Sequence, residues 1–314
     1  MKVAIVGATG VTGTSIVDAL LSAKEDVFEI TALVKYASLD KPGVHSLKAK
    51  GVVIMAVDLG GSETELSKQL QGQDVVIAAI SPAATLDQIP LANAAKLVGV
   101  KRFVPCFFAP VTAPKGVVDL RDMKEDVLNH IKKIHLPYTV VDIGWWFQIT
   151  LPRLPSGRID FAYSGMADAI PGDGAKPSAF SDNRDVGKYV ARAIVDPRTL
   201  NQQVFFFSEM LTLNQVYDLL ERLSGESIPR KYIPEEEILA KVAKAGSTSL
   251  ELGDQGFVMK AVYQYWHSWG IRGDNTVEYA QYLGYLLGND LYPDLRRTSH
   301  QAPPSRLPTL QNQP

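Results

Sequence analysis

Lys124 lies in the stretch RDMKEDVLNHIKKIHLPYTVVDIGWW, which runs from Arg121 to Trp146 and reads as a helix feeding a strand. Set the helix at about 100° per residue with Leu120 at zero; Met123, Val127, Ile131 and Ile134 then fall within about 60° of it, and Leu128 at about 80°. Arg121, Asp122, Glu125, Asp126, Lys132 and Lys133 fill the opposite, solvated arc. Lys124 falls at about 40°, the one charge inside the apolar arc. A lysine there has two options. It can run its stem along the surface and keep its head in water. Or its head can enter a cleft, where desolvation lowers its pKa and suits it to proton transfer.

A second chemical feature stands at the N-terminus. The segment GATGVTG places Gly7, Gly10 and Gly13 directly after an apolar strand and at the start of a helix. In that context Gly7 permits a tight turn, Gly10 lets the backbone approach a pyrophosphate, and Gly13 allows the helix to pack close to the sheet. The helix N-terminus offers N–H groups and partial positive charge to phosphates. A merely structural glycine turn is the alternative. Dinucleotide sites that take NAD place an acidic residue after the second strand. Here Lys35 stands in that place, at the end of ITALVK. A cation suits the extra phosphate of NADP(H); the other reading is a solvated loop lysine.

The elements that must position these groups alternate along the first half. Apolar runs at 2–7, 28–34, 52–59, 74–81, 101–107 and 138–145 read as strands. Helical patterns occupy 11–24, 45–51, 63–72, 85–99 (interrupted or started by Pro90) and 117–134. Near-continuous apolar strands separated by helices predict an α/β, Rossmann-type doubly wound parallel sheet. Ligands of such sheets sit at the carboxyl ends of the strands. The residues expected there around a cofactor are Thr9, Val11 and Thr12 within the glycine loop, Ser81 at the end of strand four, Pro105, Cys106 and Phe107 at the end of strand five, and Lys124. Phe107, Phe108, Trp145, Trp146 and Tyr163 are expected to meet the substrate. The paired tryptophans could equally be simple packing between lobes. Asp168, Tyr263, Tyr265, Trp266 and His267 are further candidates for lining a substrate lobe.

After Phe147 the pattern changes. A loop and helix at 181–197, a strand at 203–208 and a helix at 212–228 with Thr212 as N-cap precede a helical, aromatic-rich region at 229–290. The expected organisation is a cofactor-binding domain over 1–150 and a smaller, mostly helical substrate lobe over 151–295. Residues 181–225 return to the first domain, and a Pro-rich tail fills 296–314.

Bulk properties narrow the function. The chain has 314 residues, 46% hydrophobic and 21% charged, which is ordinary globular composition. A formal net charge of −2 without a basic run disfavours nucleic acid. No apolar stretch approaches the roughly 18 residues of a membrane span. The single cysteine, Cys106, fits a reducing compartment and a cytoplasmic protein. A monomer or homodimer is expected. As a nucleophile it is unsupported, because the nearest histidine, His135, lies on another element; a small buried thiol is the better reading. The five histidines show no metal-ligand spacing.

Taken together, VAIVGATGVTG, ALVK, VKRFVPCFF, DMKEDVLNHIKKIHLPYTVVDIGWW and DNRDVGKYVARAIVDPRTLNQQVFF resemble the NmrA-like proteins. These are atypical short-chain dehydrogenases/reductases, and the branch resembled is that of the isoflavone reductases and phenylcoumaran benzylic ether reductases. The likeness covers roughly residues 1–225 in order and spacing. It implies NADP(H) as cofactor and Lys124, 15 residues before Thr139, as the catalytic lysine. The Tyr-x-x-x-Lys pair of ordinary short-chain dehydrogenases is absent, since Leu120 holds the tyrosine position. The chain departs from the branch's usual strand-five sequence, with Cys106 for a serine and Phe107 for a glutamate. A more apolar, aromatic cleft follows. The resemblance implies an NADPH-dependent reductase of a bulky aromatic or polycyclic natural product in secondary metabolism. It also allows a redox-assisted cyclase, or a non-catalytic NADP redox sensor that binds a transcription factor. Lys124 separates the first two from the third, because sensors of the group typically lack it.

Overall fold

In a computed structural model of the chain, the described residues are 1–23, 27–160, 169–246 and 255–298. The elements run in the order β1 (Lys2–Val6), α1 (Val11–Leu21), β2 (Glu29–Lys35), α2 (Pro42–Ala49), β3 (Val53–Val57), α3 (Glu63–Leu70), β4 (Val75–Ala78), α4 (Gln88–Leu97), β5 (Arg102–Val104), α5 (Asp119–Lys133) and β6 (Thr139–Asp142). Then come β7 (Trp145–Trp146), α6 (Phe147–Thr150), β8 (Ile170–Pro171), β9 (Ser178–Ser181), α7 (Asn183–Val195), β10 (Gln202–Phe205), β11 (Glu209–Leu211) and α8 (Leu213–Ser224). The chain closes with β12 (Tyr232–Ile233), α9 (Glu235–Gly246), α10 (Gln255–Tyr265), a π-helical turn (Trp266–Arg272), α11 (Val277–Tyr282), β13 (Leu286–Leu287) and α12 (Gly288–Leu291).

Five parallel strands form one sheet in the order β3-β2-β1-β4-β5. Three more parallel strands follow in the order β13-β10-β6. A single bridge between Phe103 and Tyr138 joins the two sets, with the Phe103 N–H donating to the Pro137 carbonyl at 2.8 Å. The central strands are buried on both faces, as the unbroken apolar runs require. One face packs against α1 and α7 through Ile16, Val17, Leu20, Val186, Tyr189 and Val190. The other packs against α3, α4 and α5 through Leu66, Leu70, Leu91, Val127 and Ile131. The fold is the α/β Rossmann-type sheet expected from the sequence. Within it α1 and α7 approach closely at Gly187, where a β-carbon would lie 1.9 Å from the Ser15 carbonyl oxygen.

Several local expectations are corrected. Helix α2 starts at Pro42 rather than residue 45, because proline at the first helical position loses only an N–H that has no partner there anyway. The 85–99 segment is a 3₁₀ turn at Pro82–Asp87 followed by α4, with Pro90 inside its first turn. The C-terminal region is not purely helical. Strands β7, β9 and β11 form a small sheet, and β8 pairs with β12. These strands have only two to four residues, too short to show a period-two pattern. Thr212 does cap α8, closing a capping box with Gln215. A separate aromatic core, with Trp145, Phe180, Tyr265, Trp266 and Trp269, holds this region together. Tyr163, Asp168 and the tail from residue 299 lie outside the described residues.

Candidate active site

The glycine turn is built from three unlike constraints. Gly7 has φ +79°, and a β-carbon there would lie 2.0 Å from the Ala79 carbonyl oxygen at the end of β4. A β-carbon on Gly13 would lie 2.0 Å from the Gly7 carbonyl oxygen. Both glycines are therefore required by the chain's own packing. Gly10 is different. It caps α1 in an extended conformation, and its β-carbon would meet nothing nearer than the Gly7 oxygen at 3.4 Å. No side chain caps the first turn of α1, and Val11 is 67% exposed. An open, uncapped helix N-terminus with backbone donors and no acidic residue fits a phosphate anion. The residues present thus suit the pyrophosphate of a dinucleotide.

Beside this turn lies a cavity of about 410 Å³ at the carboxyl ends of β1, β4 and β5. Gly10, Val11 and Thr12 line one end, and Ile80, Ser81 and Pro82 follow β4. Cys106, Phe107, Phe108, Leu120 and Lys124 form the floor. Trp145, Trp146 and Ile149, together with Phe257, Ala261, Val262 and Tyr265 of α10, form the far wall. Few of these groups are polar, so a ligand would bury mostly apolar surface here.

Lys124 is 7% exposed and faces this cavity, and its ammonium donates to the main-chain carbonyl of Phe107. Burial holds its pKa below the usual lysine value; nearby Arg121 pushes the same way, while Cys106 and Asp142 oppose it. The half-buried Cys106 packs against the core and also lines the cavity. Its N–H donates to the side-chain carbonyl of Gln88 at 2.7 Å, and its thiol donates to the Ile80 carbonyl. Burial pushes that thiol up, against the pull of Lys124, so it is not a thiolate poised to attack.

Arg121 overturns the helical-arc reading. Placed in the solvated arc by the sequence, it is 1% exposed. Its guanidinium pairs with Asp142 at 2.8 Å and Glu125 at 2.8 Å, donates to the Tyr285 hydroxyl at 2.6 Å, and lies 4.7 Å from the Phe107 ring centroid. Burial opposes its charge, but Asp142, Tyr285 and Glu125 outweigh that and hold its pKa well above the usual value. The Arg121 head reaches the end of β6, where the Tyr285 hydroxyl also donates to Asp142 at 2.6 Å, a meeting point that a single-face projection cannot register. Asp142 and Tyr285 were missed for the same reason: each acts through partners distant in sequence. The one signal available was an aspartate ending an otherwise apolar strand.

The remaining expected residues distribute as follows. Gly7 and Gly13 shape the turn without lining the cavity, and Pro105 is buried outside its lining. Thr9 and Lys35 are exposed, Lys35 at the end of β2, two positions beyond the register that pairs Leu33 with Val6. Trp266 packs in the aromatic core, and His267 pairs with Glu235 at 2.9 Å. Of the lobe candidates among the described residues, Tyr265 alone reaches the cavity.

Comparison with known proteins agrees with this architecture. The chain is 45% identical over 303 residues to asnovolin J 5′,6′-dehydrogenase of Aspergillus novofumigatus, covering 94% of this chain and 91% of that protein. It is 28% identical over 314 residues to an isoflavone reductase homolog of Solanum tuberosum, covering 95% of each. Its fold matches the leucoanthocyanidin reductase–NADPH complex of Vitis vinifera with a TM-score of 0.79 at 23% identity, over 96% of this chain and 97% of that one. The model of the NmrA-like family matches residues 1–272. With the glycine turn, the parallel sheet and these relatives in agreement, the chain belongs to the NmrA-like family, in its isoflavone reductase-like branch.

Proposed function

We propose that this NADP(H)-dependent oxidoreductase transfers hydride between the cofactor and a bulky, ring-containing natural product, with Lys124 moving the accompanying proton. One observation carries the reading. A single cavity is lined by the uncapped N-terminus of α1, by an apolar aromatic wall and by a buried lysine. Gly10, Val11 and Thr12 would hold the pyrophosphate, and Lys35 the 2′-phosphate of the adenosine ribose. Bound NADP(H) supplies or accepts the hydride at a substrate carbon. In the reducing direction the Lys124 ammonium gives its proton to the substrate heteroatom or carbon left electron-rich. In the oxidising direction the neutral amine takes one up. Its lowered pKa makes both forms accessible closer to neutrality. The apolar walls exclude water and orient rings by stacking against Trp145 and Trp146.

The named activities of the relatives support hydride chemistry on ring systems in either direction, since one is a dehydrogenase and others are reductases. The test is direct. Purified protein is incubated with NADP⁺ or NADPH and a panel that includes asnovolin J, isoflavones and flavanones. Products are followed by mass for gain or loss of two hydrogens. Conversion of at least one panel member with matching cofactor turnover supports the proposal. NADPH binding without any conversion favours a sensor instead.

A further inference from the structure

Two polar atoms in the cavity wall have no protein partner among the described residues. The Tyr265 hydroxyl and the Trp146 indole N–H are both shut off from solvent, and neither makes a hydrogen bond. Both residues line the cavity that Lys124 faces. Tyr265 is 5% exposed. A buried polar group left unpaired costs about 1–3 kcal/mol. Such groups persist where a ligand supplies the partner.

The surroundings say what that partner is. The Tyr265 ring is held against Trp145 with centroids 5.4 Å apart, and Trp145 leans on Trp269 at 5.9 Å. The phenol is therefore fixed by the aromatic core and by the π-helical turn that begins at Trp266. Burial pushes its pKa up, so it stays protonated and acts as a donor. An indole N–H can only donate. Lys124 adds ammonium donors to the same space. Leu120, the position of the missing tyrosine one helical turn before Lys124, also lines the cavity. A phenol thus returns to the chamber from α10 instead of α5. Three donor-bearing side chains among the lining of a mostly apolar chamber call for acceptor oxygens.

Resting on the oxidoreductase reading above, we propose that Tyr265 and Trp146 set substrate specificity by donating hydrogen bonds to acceptor-only oxygens, the carbonyl of a ketone, ester or lactone, on an otherwise apolar fused-ring substrate. A site built to bond such an oxygen discriminates strongly against the analogue without it, because its own donors are then left unpaired.

The test uses flavanone and flavan, which share a ring skeleton and differ by the ketone oxygen, titrated calorimetrically into the NADP⁺-loaded protein. The wild type is expected to bind flavanone about tenfold more tightly than flavan, the worth of one net hydrogen bond. Tyr265→Phe should remove most of that preference while leaving flavan binding unchanged, and Trp146→Phe should reduce it. The free Tyr265→Phe protein should melt no lower than the wild type, since the lost hydroxyl leaves no partner behind. An unchanged flavanone preference in Tyr265→Phe overturns the proposal. So does a melting point several degrees lower in that variant, which would reveal a protein partner, and so does binding of neither compound. NADP⁺ binding is read in the same titrations, and its absence in the wild type would strike the oxidoreductase reading instead.

Discussion

Lys124 donates to the main-chain carbonyl of Phe107, tying the middle turn of α5 to the segment that leaves β5. An ammonium has three donors, and this bond commits one of them. The lysine is thus held in place by the backbone, at a point where it lines the cavity beside Cys106. Phe107 is itself clamped by Arg121 across its ring. The proposed proton-carrying group is thus positioned by two layers of fixed structure.

The pH dependence follows from the lowered Lys124 pKa. Reduction requires the ammonium, so its rate falls as pH rises through the lowered value, and oxidation shows the opposite trend. The stability sign is also fixed. A folded-state pKa below the unfolded one means that folding disfavours the ammonium. That penalty is fully present below the folded pKa and is relieved as pH climbs towards the ordinary lysine value. Lys124→Met removes it, so the variant should be the more stable protein at neutral pH, with the gap closing in alkali. Urea midpoints of both proteins across pH check this; a variant that is weaker throughout would contradict it.

Gly10 and Gly13 should separate binding from folding. Gly10→Ala has room for its methyl against the protein and should melt like the wild type. It should nevertheless lose about tenfold or more in NADPH affinity, about 1.4 kcal/mol, because the methyl would crowd the proposed pyrophosphate site. Gly13→Ala collides with the Gly7 carbonyl and should lose both stability and binding. Paired thermal melts and NADPH titrations read the difference.

How much of this was legible in the residue order depends on how local each signal is. Gly7, Gly10 and Gly13 could be read because strand, turn and helix are contiguous. The burial of Lys124 could be read because a helix repeats its faces every few residues. Arg121 could not, since its partners Asp142 and Tyr285 are 21 and 164 residues away. The far wall was legible only in part: Trp145 and Trp146 stand at a strand's carboxyl end, whereas Phe257, Ala261 and Val262 carry no signal. Tyr265 is one aromatic residue among many in its region, and only the packing of α10 against α5 brings it to the cavity. The short strands β7, β8 and β12 take their identity from neighbours and carry no pattern of their own.

The Arg121–Asp142 pair should be indispensable one residue at a time. Asp142→Ala leaves a buried guanidinium without its fully buried carboxylate partner and should cost about 3–5 kcal/mol. The double replacement Arg121→Met with Asp142→Leu should lose much less, since no unpaired charge remains. Denaturant unfolding of the three proteins decides it, and a mild effect from Asp142→Ala alone would sink the argument.

Lys35 is expected to select the phosphorylated cofactor. Lys35→Ala should weaken NADPH by about tenfold, in line with about 1.5–3 kcal/mol for a charge-assisted contact, while leaving NADH binding unchanged. Equal losses for both cofactors would show that Lys35 does not touch the 2′-phosphate.

The central claim is that Lys124 moves the proton while the glycine turn holds the cofactor. Lys124→Met, compared with the wild type on a compound the wild type converts, tests it in one measurement: single-turnover hydride transfer alongside the NADPH dissociation constant. The predicted result is a rate lower by about 10²–10⁴-fold, the usual worth of a positioned acid–base group, with NADPH still bound at near wild-type affinity. Undiminished hydride transfer in Lys124→Met would contradict the account.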